Sequence, residues 1–307
     1  MSERPAPSGS ALLDRLLSPV GVGLLVTVLV ALAAGPWPVG VFFDDGLYLV
    51  LAKSLATGEG YRYLNLPDAP VAAKYPPAWP ALLALLWRIA PRFPENVALF
   101  KLANACLMGV AAGGIAHFVR RRLALPPAGA ALVGVASALT IPVLAVATVL
   151  YSEPLFLALL VPTLLLADRA AEEGRVRDAV LAGALCGVLA LVRSIGVAAP
   201  AAAILVLLAR RRFLPGAALA GATALLLAPW QLWVAAHSAP MPSAVQASYG
   251  TYGSFLAPIL RDDGLAFAAD VVARNLTALP RIFGAMFAPA PTPWLRTPAL
   301  LGCLALV

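Results

Sequence analysis

From Val97 to Val119 the chain reads VALFKLANACLMGVAAGGIAHFV, and Arg120-Arg121-Arg122 closes it. As a helix this stretch is about 34 Å long, enough to cross ~30 Å of hydrocarbon. An arginine cluster at its end is what the positive-inside rule expects of the cytoplasmic side. Comparable apolar runs lie before and after it, so the expected fold is all-α, a polytopic bundle of transmembrane helices.

Composition agrees. Hydrophobic residues make up 61% of the chain and charged residues 12%, against about 25% charged in a soluble domain. A soluble core of this length would leave much of that apolar surface facing water. The formal net charge is +7, but nucleic acid is not the expected partner. The arginines sit in short clusters beside apolar runs (120–122, 175 with 177, 210–212) rather than along one polar face. Cys106, Cys186 and Cys303 each lie inside an apolar run without a CxxC, which argues against a disulfide framework or a thiolate zinc site. His117 and His237 are isolated, so they read as helix-end residues rather than metal ligands.

Reading outward, the first span is expected over Pro19–Val41. Arg4 and Arg15 precede it, and Ala31-Leu32-Ala33 imitates a signal-peptidase site; the apolar stretch continues to Phe43 and others follow, so an uncleaved anchor is expected. Ser2–Ser10 reads as a disordered cytoplasmic tail. Asp44–Thr57 has helical spacing, with Leu47, Leu51 and Leu55 on one stripe, and is expected to lie on the membrane surface until Gly58 and Gly60 end it. Ala81–Ala90 covers only ~15 Å and is expected to be interfacial or half-inserted. Further spans are expected at Ala128–Val149, Pro154–Ala167 and Pro215–Ala236. Ala179–Ala209 is too long for one span, has basic residues at both ends and holds Arg193 near its middle, so it is expected as two short helices meeting at Arg193. The final run, Ala299–Val307, is too short to cross, which suggests a chain that ends inside a span. The expected organisation is a cytoplasmic tail over 1–18 and one membrane domain over 19–307, with about seven spans and a truncated eighth. The outer loops are 42–96 and 237–296, the latter carrying Tyr249, Tyr252, Arg261, Asp262, Asp263, Arg274 and Arg281.

That topology gathers polar residues on the outer side: Asp44-Asp45, Lys74-Tyr75-Pro76-Pro77, Tyr151-Ser152-Glu153-Pro154 and Arg193. Each has an ordinary reading. The aspartates suit a helix N-terminus, Lys74 could snorkel to lipid phosphate, Glu153 could be an exposed turn residue, and Arg193 could anchor at the interface. Together they suit transfer of a sugar from a lipid phosphate. A carboxylate takes the proton of the attacking hydroxyl. Lys74 and Arg193 offset charge on the departing phosphate. One base suffices for inversion without a covalent intermediate. Asp44 and Asp45 point about 100° apart on a helix, so only one is expected to face the reacting centre.

The run Asp44-Asp45, Tyr48, Ala52, Gly58-Glu59-Gly60-Tyr61 and Lys74-Tyr75-Pro76-Pro77-Ala78-Trp79-Pro80 resembles the first outer loop of the C-type polytopic membrane glycosyltransferase superfamily (GT-C). It is most similar to the branch of protein O-mannosyltransferases and lipid A aminoarabinose transferases. Ser152-Glu153 and Leu191-Val192-Arg193-Ser194-Ile195-Gly196 match in order and place, and the resemblance covers about Gly21–Arg212. It implies a GT-C-like helix bundle with an extracytoplasmic active site under the first loop and a polyprenyl-phosphate sugar donor. The acceptor would be a glycan, a lipid or a protein. It further implies a base at Asp44 or Asp45, donor-phosphate contact through Lys74, and Glu153 as a further site carboxylate; Tyr48 and Tyr75 stand in the same motif. Leu47 departs from the arginine that aminoarabinose relatives often carry before the loop tyrosine. No metal is assigned, although some family members need a divalent ion. The expected location is the inner cell membrane, multi-pass, with the N-terminus cytoplasmic. A transporter or lipid flippase is the rival class; it expects ionisable groups at mid-membrane and two matching halves. A non-catalytic scaffold is the third.

Overall fold

The computed structural model describes residues 9–35, 39–238 and 240–287. These are helical apart from connecting loops and one isolated antiparallel bridge between Arg62 and Val71. In chain order the helices are α1 (Gly9–Leu16), α2 (Pro19–Ala33), α3 (Asp44–Ala56), α4 (Ala78–Ile89), α5 (Val97–Arg122), α6 (Pro127–Leu139), α7 (Ile141–Thr148), α8 (Glu153–Glu173), α9 (Val176–Val192), α10 (Ala198–Ala209), α11 (Phe213–Ala236), α12 (Ser243–Tyr249), α13 (Tyr252–Asp262) and α14 (Gly264–Phe287). A 3-10 turn, Ser194–Val197, joins α9 to α10. The chain divides into two compact units, 1–138 with 145–237 and 139–144 with 238–307.

Three described helices are long and apolar enough to cross a membrane: α5, α8 and α11. The broken pair α6–α7 makes a fourth if it is one span. The single crossing expected over Ala128–Val149 is therefore two pieces that part at Thr140. The first span is also shorter than expected, because α2 stops at Ala33, after about 22 Å of rise. The two short helices expected around Arg193 are α9 and α10. The run 299–307 and residues 1–8 lie outside the described residues.

On the long helices of the first unit many inward positions are small and many outward ones large, although Phe100, Met108, Leu189 and Leu219 are buried as well. Ala105, Ala111, Ala112 and Ala116 of α5 and Ala179, Ala182 and Ala190 of α9 are buried, while Val20, Leu32 and Leu225 are 72%, 78% and 76% exposed. Water would favour the reverse. Among lipid tails, helices gain little by hiding leucine and gain by close backbone approach. The α2–α5 contact shows this: a Cβ on Gly109 would run into Thr27 Oγ1 and the Gly23 carbonyl, and one on Gly113 would lie 2.5 Å from the Pro19 carbonyl. Across α9 and α11, Thr223 Oγ1 donates to the Gly183 carbonyl at 2.9 Å.

Charge collects at the two ends of α8. At its C-terminal end Arg122 reaches Asp168 at 3.2 Å and Glu172 at 2.7 Å, and Arg212 donates to the Glu172 carbonyl at 3.0 Å. Glu153 opens the other end, about 31 Å away along the helix. In the second unit, 237–296 was expected as a loop; the structure forms α12, α13 and α14 there, and 288–296 lies outside the described residues.

Candidate active site

The site forms where the first loop folds back on the bundle. α3 is not the one-striped surface helix that its leucine spacing suggests. Asp45, Leu47, Tyr48, Leu49, Leu51, Ala52 and Ser54 are all buried, because α4 covers one side of α3 and the loop covers another. Gly58 and Gly60, at φ 82° and 83°, then turn the chain through the left-handed region. The Ser54 hydroxyl donates to the Gly60 carbonyl at 2.8 Å. A short hairpin follows, with Tyr63 N–H donating to the Pro70 carbonyl and Ala72 N–H to the Tyr61 carbonyl, both at 2.9 Å. Trp233 Nε1 of α11 donates to the Ala72 carbonyl at 2.9 Å, and the Tyr61 ring stands edge-on to Trp230 at 6.0 Å. The loop is therefore tied to α11 at two points.

Ahead of α3 the backbone is strained. Phe43 has φ 68° and ψ −64°, and Asp44 N–H donates across it to the Phe42 carbonyl at 2.9 Å. That is a γ-turn of positive φ, rare for a side chain with a Cβ. Asp45 holds the turn: its two carboxylate oxygens accept from Gly40 N–H at 2.7 Å and Phe42 N–H at 3.1 Å. The adjacent aspartates thus divide. Asp45 is 1% exposed and turned to the backbone, whereas Asp44 is half-buried and turned to the loop.

Tyr75 donates its hydroxyl to Asp44 Oδ1 at 2.8 Å. The Tyr75 ring meets Tyr48 edge-on at 5.6 Å, and its own carbonyl accepts from the Tyr61 hydroxyl at 2.9 Å. Lys74 Nζ stands 5.7 Å from the centre of the same ring. Burial lowers the Lys74 ammonium's pKa, and the Asp44 charge partly restores it. Burial, the bond to Asp44 and that residue's charge hold Tyr75 above the ordinary phenol range. Burial is also the main cause that pushes Tyr48 up to about 12. Both phenols stay protonated at neutral pH, so Tyr75 remains a donor.

Across Tyr48 lies the second group. The Tyr48 and Ser152 hydroxyls are 3.2 Å apart. Arg193 Nη1 donates to Ser152 Oγ at 3.1 Å and pairs with Glu153 Oε1 at 2.6 Å. Glu153 Oε2 is buried without a hydrogen-bond partner. Arg193 reaches this place because α9 ends on it in extended conformation, φ −146° and ψ 136°. So Asp44, Tyr75 and Lys74 form one cluster, and Ser152, Glu153 and Arg193 another. Tyr48 touches both, while the Asp45 carboxylate is turned to the Gly40 and Phe42 N–H groups.

Other residues frame the site, and of these Asn104 and Lys101 were not singled out from sequence. Trp79 Nε1 donates to the Leu150 carbonyl at 3.1 Å, and Asn104 Nδ2 to the Val149 carbonyl at 2.6 Å, fixing the turn that carries Ser152. Tyr151 donates to the Phe42 carbonyl at 3.1 Å and so touches the strained turn. Lys101 Nζ caps α2 at the Ala34 and Gly35 carbonyls, at 3.2 and 3.0 Å. A signal existed for Lys101 and Asn104, since each is polar within a membrane-length apolar run. Among the described residues no three His, Cys, Asp or Glu side chains are grouped as metal ligands. An apolar cavity of ≈ 420 Å³ borders the site, lined by Leu55, Tyr61, Pro77, Leu191, Trp230 and Trp233.

No protein-family model matches the chain, and no curated protein or solved structure matches it.

Proposed function

We propose that this chain is a membrane-embedded glycosyltransferase that moves a sugar from a polyprenyl-phosphate donor to an acceptor hydroxyl. The observation that carries the reading is the Asp44–Tyr75 hydrogen bond beside Lys74. It joins a half-buried carboxylate, a phenol that fixes one of its oxygens, and an ammonium, on a protein otherwise poor in charge. Asp44 is the base. It accepts the proton of the acceptor hydroxyl as that oxygen attacks the anomeric carbon. The bond from that carbon to the phosphate oxygen breaks, its electron pair leaves on the phosphate, and Lys74 offsets the new charge. One displacement inverts the anomeric centre. Arg193 acts beside Glu153 and Ser152, whose contacts fix its guanidinium in place. The apolar cavity under Tyr61 and Pro77 suits a prenyl chain next to the phosphate. On this reading the site is extracytoplasmic and opposite the Arg122 end of α8.

The test is Asp44→Asn in membranes supplied with labelled polyprenyl-phosphate sugars and extracted cell envelope. Loss of a general base costs about 10²- to 10⁴-fold in rate. Transfer at the wild-type rate would overturn the reading.

A further inference from the structure

The second unit carries apolar stripes that its own helices leave uncovered. On α14, Val272, Leu276, Leu279 and Ile282 recur at successive turns along one side, and they are 56%, 62%, 40% and 55% exposed. Asp270 and Arg274 form an ion pair on the opposite side. α13 repeats the design: Leu256 and Leu260 line one side at 39% and 48% exposure, with Ser254 and Arg261 opposite. Gly264, at φ 57°, separates the two helices. In water such stripes would be buried against a partner.

What covers them follows from the chain itself. α11 is long and apolar enough to cross a membrane and ends at Ala236, whereas α12 begins at Ser243. The link between them spans at most about 25 Å, so the chain can carry these helices only a short way from the end of a membrane-length helix before they begin. α14 rises about 36 Å but is not among the helices apolar enough to cross. A helix with well-separated faces and too little overall hydrophobicity to insert is the type that lies in the interface.

We propose that α13 and α14 lie flat on the phospholipid surface into which the spans of the same chain insert, with the Val272–Ile282 stripe in the acyl–headgroup boundary. Their polar sides carry both signs of charge: Arg261 and Arg274 against Asp262 and Asp270. Attachment therefore rests on apolar area rather than counter-charge, and it does not require anionic lipid.

The experiment uses the whole protein in phosphatidylcholine vesicles, with native cysteines replaced by alanine and nitroxides placed singly by Leu276→Cys, Leu279→Cys and Arg274→Cys. Collision rates are read with oxygen, which concentrates in lipid, and with a water-soluble nickel chelate. Sites 276 and 279 should favour oxygen and site 274 the chelate, unchanged by a tenfold rise in salt. Two outcomes overturn the proposal: chelate preference at 276 and 279, or protection of both from both reagents, the sign of cover by protein. Using two stripe positions keeps a result available if one variant does not fold.

Discussion

Phe43 is a bulky residue in a backbone conformation that glycine would occupy more easily, and that choice separates the roles of its two neighbours. The turn costs of order 1–3 kcal/mol and is held by the Asp45 carboxylate on Gly40 and Phe42 N–H. Asp45→Ala should therefore destabilise the protein by about 2–4 kcal/mol, since the two bonds to a charged acceptor contribute roughly 1.5–3 each and relaxation of the turn offsets about 1–3. Thermal unfolding in detergent measures this. On the proposed function, Asp44→Asn should slow transfer about 10²- to 10⁴-fold while leaving the unfolding temperature nearly unchanged, so the contrast separates a base from a structural carboxylate. Lys74 gives a pH prediction. It offsets phosphate charge only while protonated, and its pKa lies below 10.5. The alkaline fall in transfer should therefore begin below that of an ordinary lysine. Lys74→Arg, which does not deprotonate, should move that limb upward in a pH–rate profile. The acidic pair, the lysine and the tyrosines were legible as a set. Which aspartate faces outward was not, because a γ-turn at a phenylalanine leaves no mark in residue type.

Helices declare themselves in this sequence by length and apolarity, and α5, α8 and α11 lie close to where the runs place them. The periodicity of α3 misled because it reports one stripe. The helix is buried on more sides than that, under α4 and a loop whose fold depends on side-chain contacts far apart in sequence. The break at Thr140 was likewise hidden, since Pro142 stands early enough in α7 to be tolerated. Glycines give the sharpest test of packing at this scale. Gly109 meets Thr27 and Gly23, so Gly109→Ala should cost about 1–3 kcal/mol by forcing α2 from α5. A methyl group added at Gly221 of α11 would meet nothing within 4 Å, and Gly221→Ala should stabilise by about 0.5–1 kcal/mol. Opposite signs in thermal unfolding would verify that contact, rather than helix propensity, governs the pair.

At the scale of the molecule, the sequence announces lipid as solvent, and the many buried alanines and outward-facing leucines of the first unit's helices agree. Charge segregation at the two ends of α8 was legible from the arginine clusters. The helices of 243–287 were not, because their amphipathic pattern sits among residues read as loop. One tie reaches across the whole first unit: Trp233, on the helix α11, holds the Ala72 carbonyl of the segment that leads to Lys74 and Tyr75. Whatever tilts α11 pulls on the segment that carries the proposed donor-phosphate contact, Lys74. Thinner or thicker acyl layers change the tilt of a spanning helix at small energetic cost, so turnover should pass through an optimum when phosphatidylcholine tail length is varied from about 14 to 22 carbons. On the proposed function, Trp233→Phe, which keeps an aromatic ring and removes the donor, should flatten that dependence, uncoupling turnover from the bilayer's own elasticity.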